Sequence, residues 1–269
     1  MTYVARLKEN IRARGALCVG IDPHPGLLER WGLPDDVTGV ERFARGVVEA
    51  LGETVAAFKP QSAFFEVWGA AGVKVLEDTI RDAQAAGALV IVDAKRGDIG
   101  STMTAYARAY LGDGPLAGDA VTLSPYLGFG SLEPAFELAE AQGKGVYVLA
   151  RTSNPEGHTV QLAAGPDGRS VVQAIVDAAL ARNAVTGLDA IGLVIGGTHA
   201  TVGADLAGFA GPILVPGIGA QGGTIAGVRA LFGDSAAPIL PSASREVLAA
   251  GPDPAALRAK AGLIRGGRV

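Results

Sequence analysis

The sequence predicts an α/β protein built as a single (β/α)8 barrel, and three observations lead there. Eight short apolar runs recur along the 269 residues, Ala-rich or amphipathic stretches separate them, and glycines punctuate the junctions. Strict strand–helix alternation implies a parallel sheet, and eight strands favour closure over an open doubly wound sheet. About 250 residues is the usual size of such a barrel, so residues 1–269 are expected to form one domain.

The first strand is expected over 17–21 (LCVGI), with Cys18 as a buried thiol. The second falls at 55–59 (VAAFK) and the third at 89–95 (LVIVDAK), each a β-rich run ending in polar residues. The fourth and fifth are expected at 120–125 (AVTLSP) and 145–151 (GVYVLAR). The last three are 190–196 (AIGLVIG), 212–217 (PILVPG) and 237–242 (APILPS). Near-continuous apolar strands suit a parallel sheet covered on both faces. Helices are expected between them at 40–51, 66–86, 101–111, 131–142, 170–183 and 223–232. Gly15, Gly52, Gly87, Gly112 and Gly143 stand where helices should stop, as C′ glycines do. The Pro/Gly-rich stretch 153–169 follows the fifth strand and reads as a long active-site loop.

Hydrophobic residues make up 49% of the chain and aromatics only 6%, so Ala, Val, Leu and Ile must fill the core. The net charge of −4, without a basic run, argues against polymeric nucleic acid or an anionic membrane as partner. A lone cysteine rules out an intramolecular disulfide. No apolar segment is long enough to span a bilayer and the charged start has no apolar signal core, so a soluble, cytoplasmic protein is expected.

Catalysis in such barrels sits at the C-terminal ends of the strands. Polar residues recur there: Asp22, Lys59, Asp93, Lys95, Ser124, Thr152, Ser153, Thr198, Ser244 and Arg245. The sharpest feature is Asp93-Ala94-Lys95-Arg96-Gly97-Asp98. Asp93 and Lys95, two apart on a strand, should share a face while Ala94 turns to the helices. Asp98 lies in the following turn, and Lys59 should neighbour the pair across the sheet. The outcome is a Lys–Asp–Lys–Asp array. An ion-pair network at a barrel rim would look similar, but burying four charges is costly and seldom needed for stability alone.

A second feature is a candidate phosphate site. The glycine-rich run 215–223 (VPGIGAQGG) follows the seventh strand, and Ser244-Arg245 follows the eighth. Glycines let backbone N–H groups approach an anion, Arg245 adds a fork of charged donors, and Gln221 can add another. The run 151–157 (RTSNPEG) offers hydroxyls and an amide that can read a base edge, although Asn-Pro also starts plain turns. His24, His158 and His199 have no ligand-like spacing, and Trp31 and Trp68 read as packing residues. Without a His/Cys cluster no transition-metal site is expected.

At these residues the chain resembles the orotidine 5′-phosphate decarboxylases, in particular their longer bacterial subgroup. The likeness runs from VGIDPHP through FKPQSAFFE, VDAKRGDIGST, TLSPYLG, RTSNPEG and VPGIGAQGG to SASRE. DAKRGDIGST is its most specific segment. The resemblance implies that Lys59, Asp93, Lys95 and Asp98 form the catalytic array. It also implies that Asp22 and Lys59 contact ribose hydroxyls, that Ser153 bonds the pyrimidine amide, and that Gln221 and Arg245 hold the phosphate. Asp98 and Thr102 would enter the neighbouring subunit's site, making a homodimer with shared active sites. The chain departs from shorter members in its extended 23–40 region and its long 153–170 loop.

The implied reaction turns orotidine 5′-phosphate into uridine 5′-phosphate in pyrimidine synthesis. Loss of CO2 from C6 leaves a carbanion in the ring plane. No motif here supplies a pyridoxal or thiamine electron sink, so no cofactor is expected and Lys95 becomes the cation and proton donor. Two other readings remain open. A Mg-dependent hexulose-phosphate synthase or keto-gulonate-phosphate decarboxylase relative would place an acidic ligand where Lys59 stands. A non-catalytic phosphosugar- or nucleotide-binding barrel would need the phosphate site but not the charge array.

Overall fold

The computed structural model describes residues 1–233 and 235–266; the expected domain bounds extend beyond them to residue 269. Eight parallel strands close into a barrel in chain order: β1 (Cys18–Ile21), β2 (Ala57–Pro60), β3 (Leu89–Arg96), β4 (Ala120–Leu123), β5 (Gly145–Arg151), β6 (Ile191–Ile195), β7 (Ile213–Val215) and β8 (Ile239–Ala243). All eight expected strands form, and β1 meets β8 through Cys18–Ser242 and Val19–Ala243.

Around them run α1 (Tyr3–Arg14), α2 (Pro25–Arg30), α3 (Val37–Leu51), α4 (Ala63–Glu66), α5 (Gly69–Ala85), α6 (Gly100–Leu111), α7 (Glu133–Ala141), α8 (His158–Gln161), α9 (Val171–Thr186), α10 (Ile225–Phe232), α11 (Arg245–Leu248) and α12 (Pro254–Gly266). The helix expected over 66–86 is broken into α4 and α5. Gly69 takes φ +58°, and Gly72 packs so closely on the Phe65 carbonyl that a Cβ would lie 2.0 Å from its oxygen. Of the five expected C′ glycines, Gly15, Gly87 and Gly143 have positive φ. Gly52 and Gly112 do not; both follow helices, but with φ −54° and −79°. The extended 23–40 region holds α2 and the start of α3, while 153–170 holds a 3-10 turn and α8.

Period-two alternation sorts the strand residues between two cores. Cys18, Leu89, Ile91, Ala120, Tyr147, Val194, Leu214 and Leu240 fill the barrel interior, and Tyr3, Val4 and Leu7 of α1 plug its N-terminal end. Val19, Phe58, Val90, Val92 and Ala94 face outward, against helix residues such as Phe43, Val47 and Leu76. Trp31 packs as expected, 4.4 Å from the Phe43 ring, with Nε1 donating to the Leu248 carbonyl at 2.9 Å. Burial pushes the Cys18 thiol up to about 12. No described helix is long and apolar enough to cross a membrane.

Candidate active site

A cavity of about 410 Å³ opens at the C-terminal ends of the strands. Asp93 is its electrostatic centre. On β3, Leu89 and Ile91 point into the barrel, and the same alternation turns Asp93 inward above them. All four lone-pair directions of its carboxylate are used. Oδ2 accepts from Lys59 Nζ at 2.7 Å and from Gln61 Nε2 at 3.0 Å. Oδ1 accepts from Lys95 Nζ at 2.6 Å and from the Thr122 hydroxyl at 2.8 Å.

Burial alone would raise the Asp93 pKa, but the two ammonium groups outweigh it and hold the carboxyl well below the usual aspartate range. Burial likewise pulls against a charged Lys59. The fields of Asp93 and then Asp22 overcome it, so Lys59 is held above the ordinary lysine value. The buried cluster is therefore a carboxylate with two cations attached, of which Lys59 is nearly enclosed and Lys95 is 44% exposed to the cavity.

Lys95 reaches Asp93 by a route that simple alternation does not give. Pairing of β3 with β4 jumps from Val92–Val121 to Arg96–Leu123, so three β3 residues stand opposite Thr122 alone. Lys95 sits in this bulge with φ +47°, a conformation that costs a non-glycine residue on the order of 1–3 kcal/mol. Thr122 organises the bulge, because its hydroxyl also accepts from the Lys95 backbone N–H at 3.0 Å. Thr122 and Gln61 were not singled out from sequence. Thr122 carried a signal: in AVTLSP it is a polar residue at an inward position, two after inward-facing Ala120. Ser124, picked out instead, does not line the cavity.

Asp22, beyond β1, lines the cavity with a buried Oδ1 that has no partner. Ser244, beyond β8, has a buried hydroxyl in the same state. Asp98 is not brought to the array within its own chain: its Oδ1 accepts from the Ile99 N–H at 2.8 Å, and it does not line the cavity. Thr102 lies exposed on α6, also outside it.

The glycine loop between β7 and α10 forms a compact turn. Gly217, Gly219 and Gly222 adopt φ of +98°, +78° and +91°, and the Gly223 N–H returns to the Gly217 carbonyl at 3.0 Å. Gln221 and exposed Arg245 border the cavity beside it. Ser153 approaches from the opposite loop, and its hydroxyl donates to Gln221 Oε1 at 2.8 Å. Arg151, by contrast, is buried away from the cavity and donates to the Val202 carbonyl. His199 is no ligand here: its Nε2 donates to the Thr152 carbonyl, and burial lowers its pKa.

The donor set does not fit a divalent cation. Each Asp93 oxygen already faces an ammonium, and the two positive charges would repel a cation placed there. Among the described residues no group of three or more His, Cys, Asp or Glu could hold a metal ion.

Fold and site together define a (β/α)8 barrel with a charged, ligand-sized mouth at the strand C-termini, the end at which barrel enzymes carry out their chemistry. Residues 15–260 match the model of the orotidine 5′-phosphate decarboxylase / HUMPS family, and the chain belongs to that family. An orotidine 5′-phosphate decarboxylase of Salinispora tropica is 60% identical over 97% of this chain and 94% of its own. Another from Streptomyces coelicolor is 54% identical over 96% and 94%. A crystal structure from Streptomyces avermitilis superposes with a TM-score of 0.95 at 54% identity, covering 99% of this chain and 94% of that one. The Leishmania donovani OMP decarboxylase structure gives 0.80 at 31%, covering 100% and 99%.

Proposed function

We propose that this protein is a carboxy-lyase that converts orotidine 5′-phosphate to uridine 5′-phosphate, in the cytoplasm, without a cofactor. The observation that carries the reading is the Lys59–Asp93–Lys95 cluster in the cavity wall. A binding-only barrel has no use for a lysine held in a costly backbone conformation beside a carboxylate. The donor set, in turn, speaks against the Mg-dependent relatives.

In the reaction the bond from C6 to the carboxylate carbon breaks, CO2 departs, and the electron pair stays on C6 in the ring plane. The Lys95 ammonium stabilises that charge, and in a site shielded from water it counts for far more than in solution. Its proton then passes to C6, and the amine is reprotonated from solvent. Asp93 holds the Lys95 ammonium in place. Asp22 and Lys59 bind ribose hydroxyls, Ser153 reads the pyrimidine amide, and Gln221 and Arg245 take the phosphate with the glycine-loop N–H groups. Phosphate binding draws the 153–170 and 217–223 loops together over the base; the Ser153–Gln221 hydrogen bond is the contact that supports this.

Asp98 and Thr102 complete the site of a second copy. Neither lines its own cavity. Val67, Ile99, Tyr126 and Leu127, on the segments after β2, β3 and β4, are 73%, 62%, 80% and 53% exposed, an apolar rim suited to a symmetric dimer. CO2 release from orotidine 5′-phosphate tests the activity, and an inactive folded protein rejects it. Mixing Lys95→Ala with Asp98→Ala under subunit exchange tests the sharing. Half the dimers become mixed, each with one intact site of two, so roughly a quarter of wild-type activity should return. No recovery means that Asp98 acts in its own chain.

A further inference from the structure

Lys95 is held from two sides. From inside the barrel, Thr122 accepts its backbone N–H. From outside, the holding is done by the next residue, Arg96, whose side chain points away from the mouth. Its Nη1 donates to the Ala94 carbonyl at 3.1 Å, so the guanidinium reaches back across the Lys95 peptide. Its Nη2 donates to Glu66, the last residue of α4, and Glu66 also accepts from the Ser62 hydroxyl. The Ser62 backbone N–H in turn donates to the Asp93 carbonyl at 3.2 Å. On the other flank the guanidinium carbon lies 5.7 Å and 5.8 Å from the ring centres of Tyr106 and Tyr110 on α6. One side chain therefore ties together the segment after β2, the bulge of β3, and the helix that follows Asp98.

This arrangement leaves the Arg96 Nε buried with no partner. An unpaired buried N–H costs stability. The flat, five-donor guanidinium suits the task, because it bonds in its plane to Ala94 and Glu66 while offering its charge to two rings; an ammonium has no such plane.

We propose that Arg96 is a positioning residue: by clamping the Ala94 carbonyl to Glu66 and to the tyrosine faces, it holds residues 94–96 in the turn that aims the Lys95 ammonium at Asp93 and the reacting carbon. This rests on the catalytic reading of Lys95 above. Its signature is a kinetic split. Misaiming Lys95 slows the chemical step and leaves the ribose and phosphate contacts in place, whereas general loosening of the barrel weakens nucleotide binding as well.

The experiment compares the wild type with Arg96→Ala, Arg96→Lys and Glu66→Gln, measuring kcat and KM for CO2 release and the Kd of uridine 5′-phosphate. Arg96→Ala should lose roughly 10- to 100-fold in kcat, the scale expected of small misplacements, with KM and Kd within about threefold of wild type. Arg96→Lys should recover little, and Glu66→Gln should show a smaller loss with the same split. If Arg96→Ala does not fold, the other two variants carry the comparison. Unchanged kcat, or a loss in nucleotide affinity equal to the loss in kcat, overturns the clamp while the wild type remains active. A wild type that releases no CO2 overturns the catalytic reading and the clamp with it.

Discussion

The two ends of the barrel treat buried polar groups in opposite ways. At the N-terminal end Asp119 is satisfied on all sides: it accepts from Arg6, from Gln84 Nε2 at 3.2 Å and from the Val90 N–H at 2.9 Å. Tyr3 and Tyr147 hydrogen-bond through their hydroxyls at 2.8 Å, and burial raises both pKa values, so the pair stays neutral. At the C-terminal end lie all the buried side-chain atoms without partners among the described residues: Asp22 Oδ1, His24 Nε2, Arg96 Nε, Arg151 Nε and Ser244 Oγ. There, too, Lys95 holds its left-handed backbone. One end is built for stability. The other gives some stability up, as functional sites do, and two of its unpartnered groups, Asp22 and Ser244, line the cavity.

The contrast can be broken by substitutions at each end. Lys95→Ala should give the largest effect, a loss of CO2 release on the order of 10³-fold or more, the scale of removing an electrostatic stabiliser. Its melting temperature and affinity for uridine 5′-phosphate should stay close to wild type. Near-normal turnover by the folded variant removes Lys95 from the chemistry.

Asp93→Asn strips the carboxylate from two cations and should cost about 3–5 kcal/mol of stability near neutral pH, the range for breaking a buried pair. Here the sign of the pH dependence is a sharper check than the size. The Asp93 pKa is lowered, so its contribution is present above the ordinary value of 3.8 and is lost as pH falls toward the depressed folded value. The Lys59 pKa is raised, so its contribution is complete below 10.5 and is lost as pH rises through the higher folded value. Denaturant melts of wild type and variant should therefore differ by a constant amount between those limits and converge outside them. A gap that changes steadily through neutrality argues against the pairing.

Arg245→Ala should cost roughly 1.5–3 kcal/mol of binding, the strength of a charge-assisted contact. The loss should appear in kcat/KM for the nucleotide and hardly at all for a substrate without phosphate. Equal losses on both substrates mean that Arg245 does not hold the phosphate. At the sealed end, Tyr147→Phe leaves the Tyr3 hydroxyl without its partner and should cost about 1–3 kcal/mol of stability, with kcat unchanged. A fall in kcat at constant folding would show that the two ends are coupled.

The strands were legible because each is a short apolar run bounded by glycine or polar residues, and the β5 bounds agree to the residue. The helices were less so. α1 hides in a charged opening segment, where its buried face is only Tyr3, Val4 and Leu7, and α12 buries just Leu257 and Ala261. The break at Val67–Trp68 escaped because it goes with Gly69 at positive φ and Gly72 packed on the Phe65 carbonyl, backbone features that the apolar pattern does not record. In the site, the proximity of Lys59, Asp93 and Lys95 followed from strand order. The bulge that delivers Lys95 did not, since its cause is a threonine on the next strand, 27 residues away. Asp98 is likewise not where strand order alone would put it: it caps the Ile99 N–H and stays outside the cavity of its own chain.

The seam between β1 and β8 has a consequence in time. Val19 waits for Ala243, more than two hundred residues further along. At typical synthesis rates of about 5–20 residues per second, that leaves the outer edge of β1 open for roughly 10–45 s. An open apolar edge is a template for pairing with other chains. This one is short, four residues with Gly20 among them, and such an edge gives a stray strand little to grip until β8 arrives.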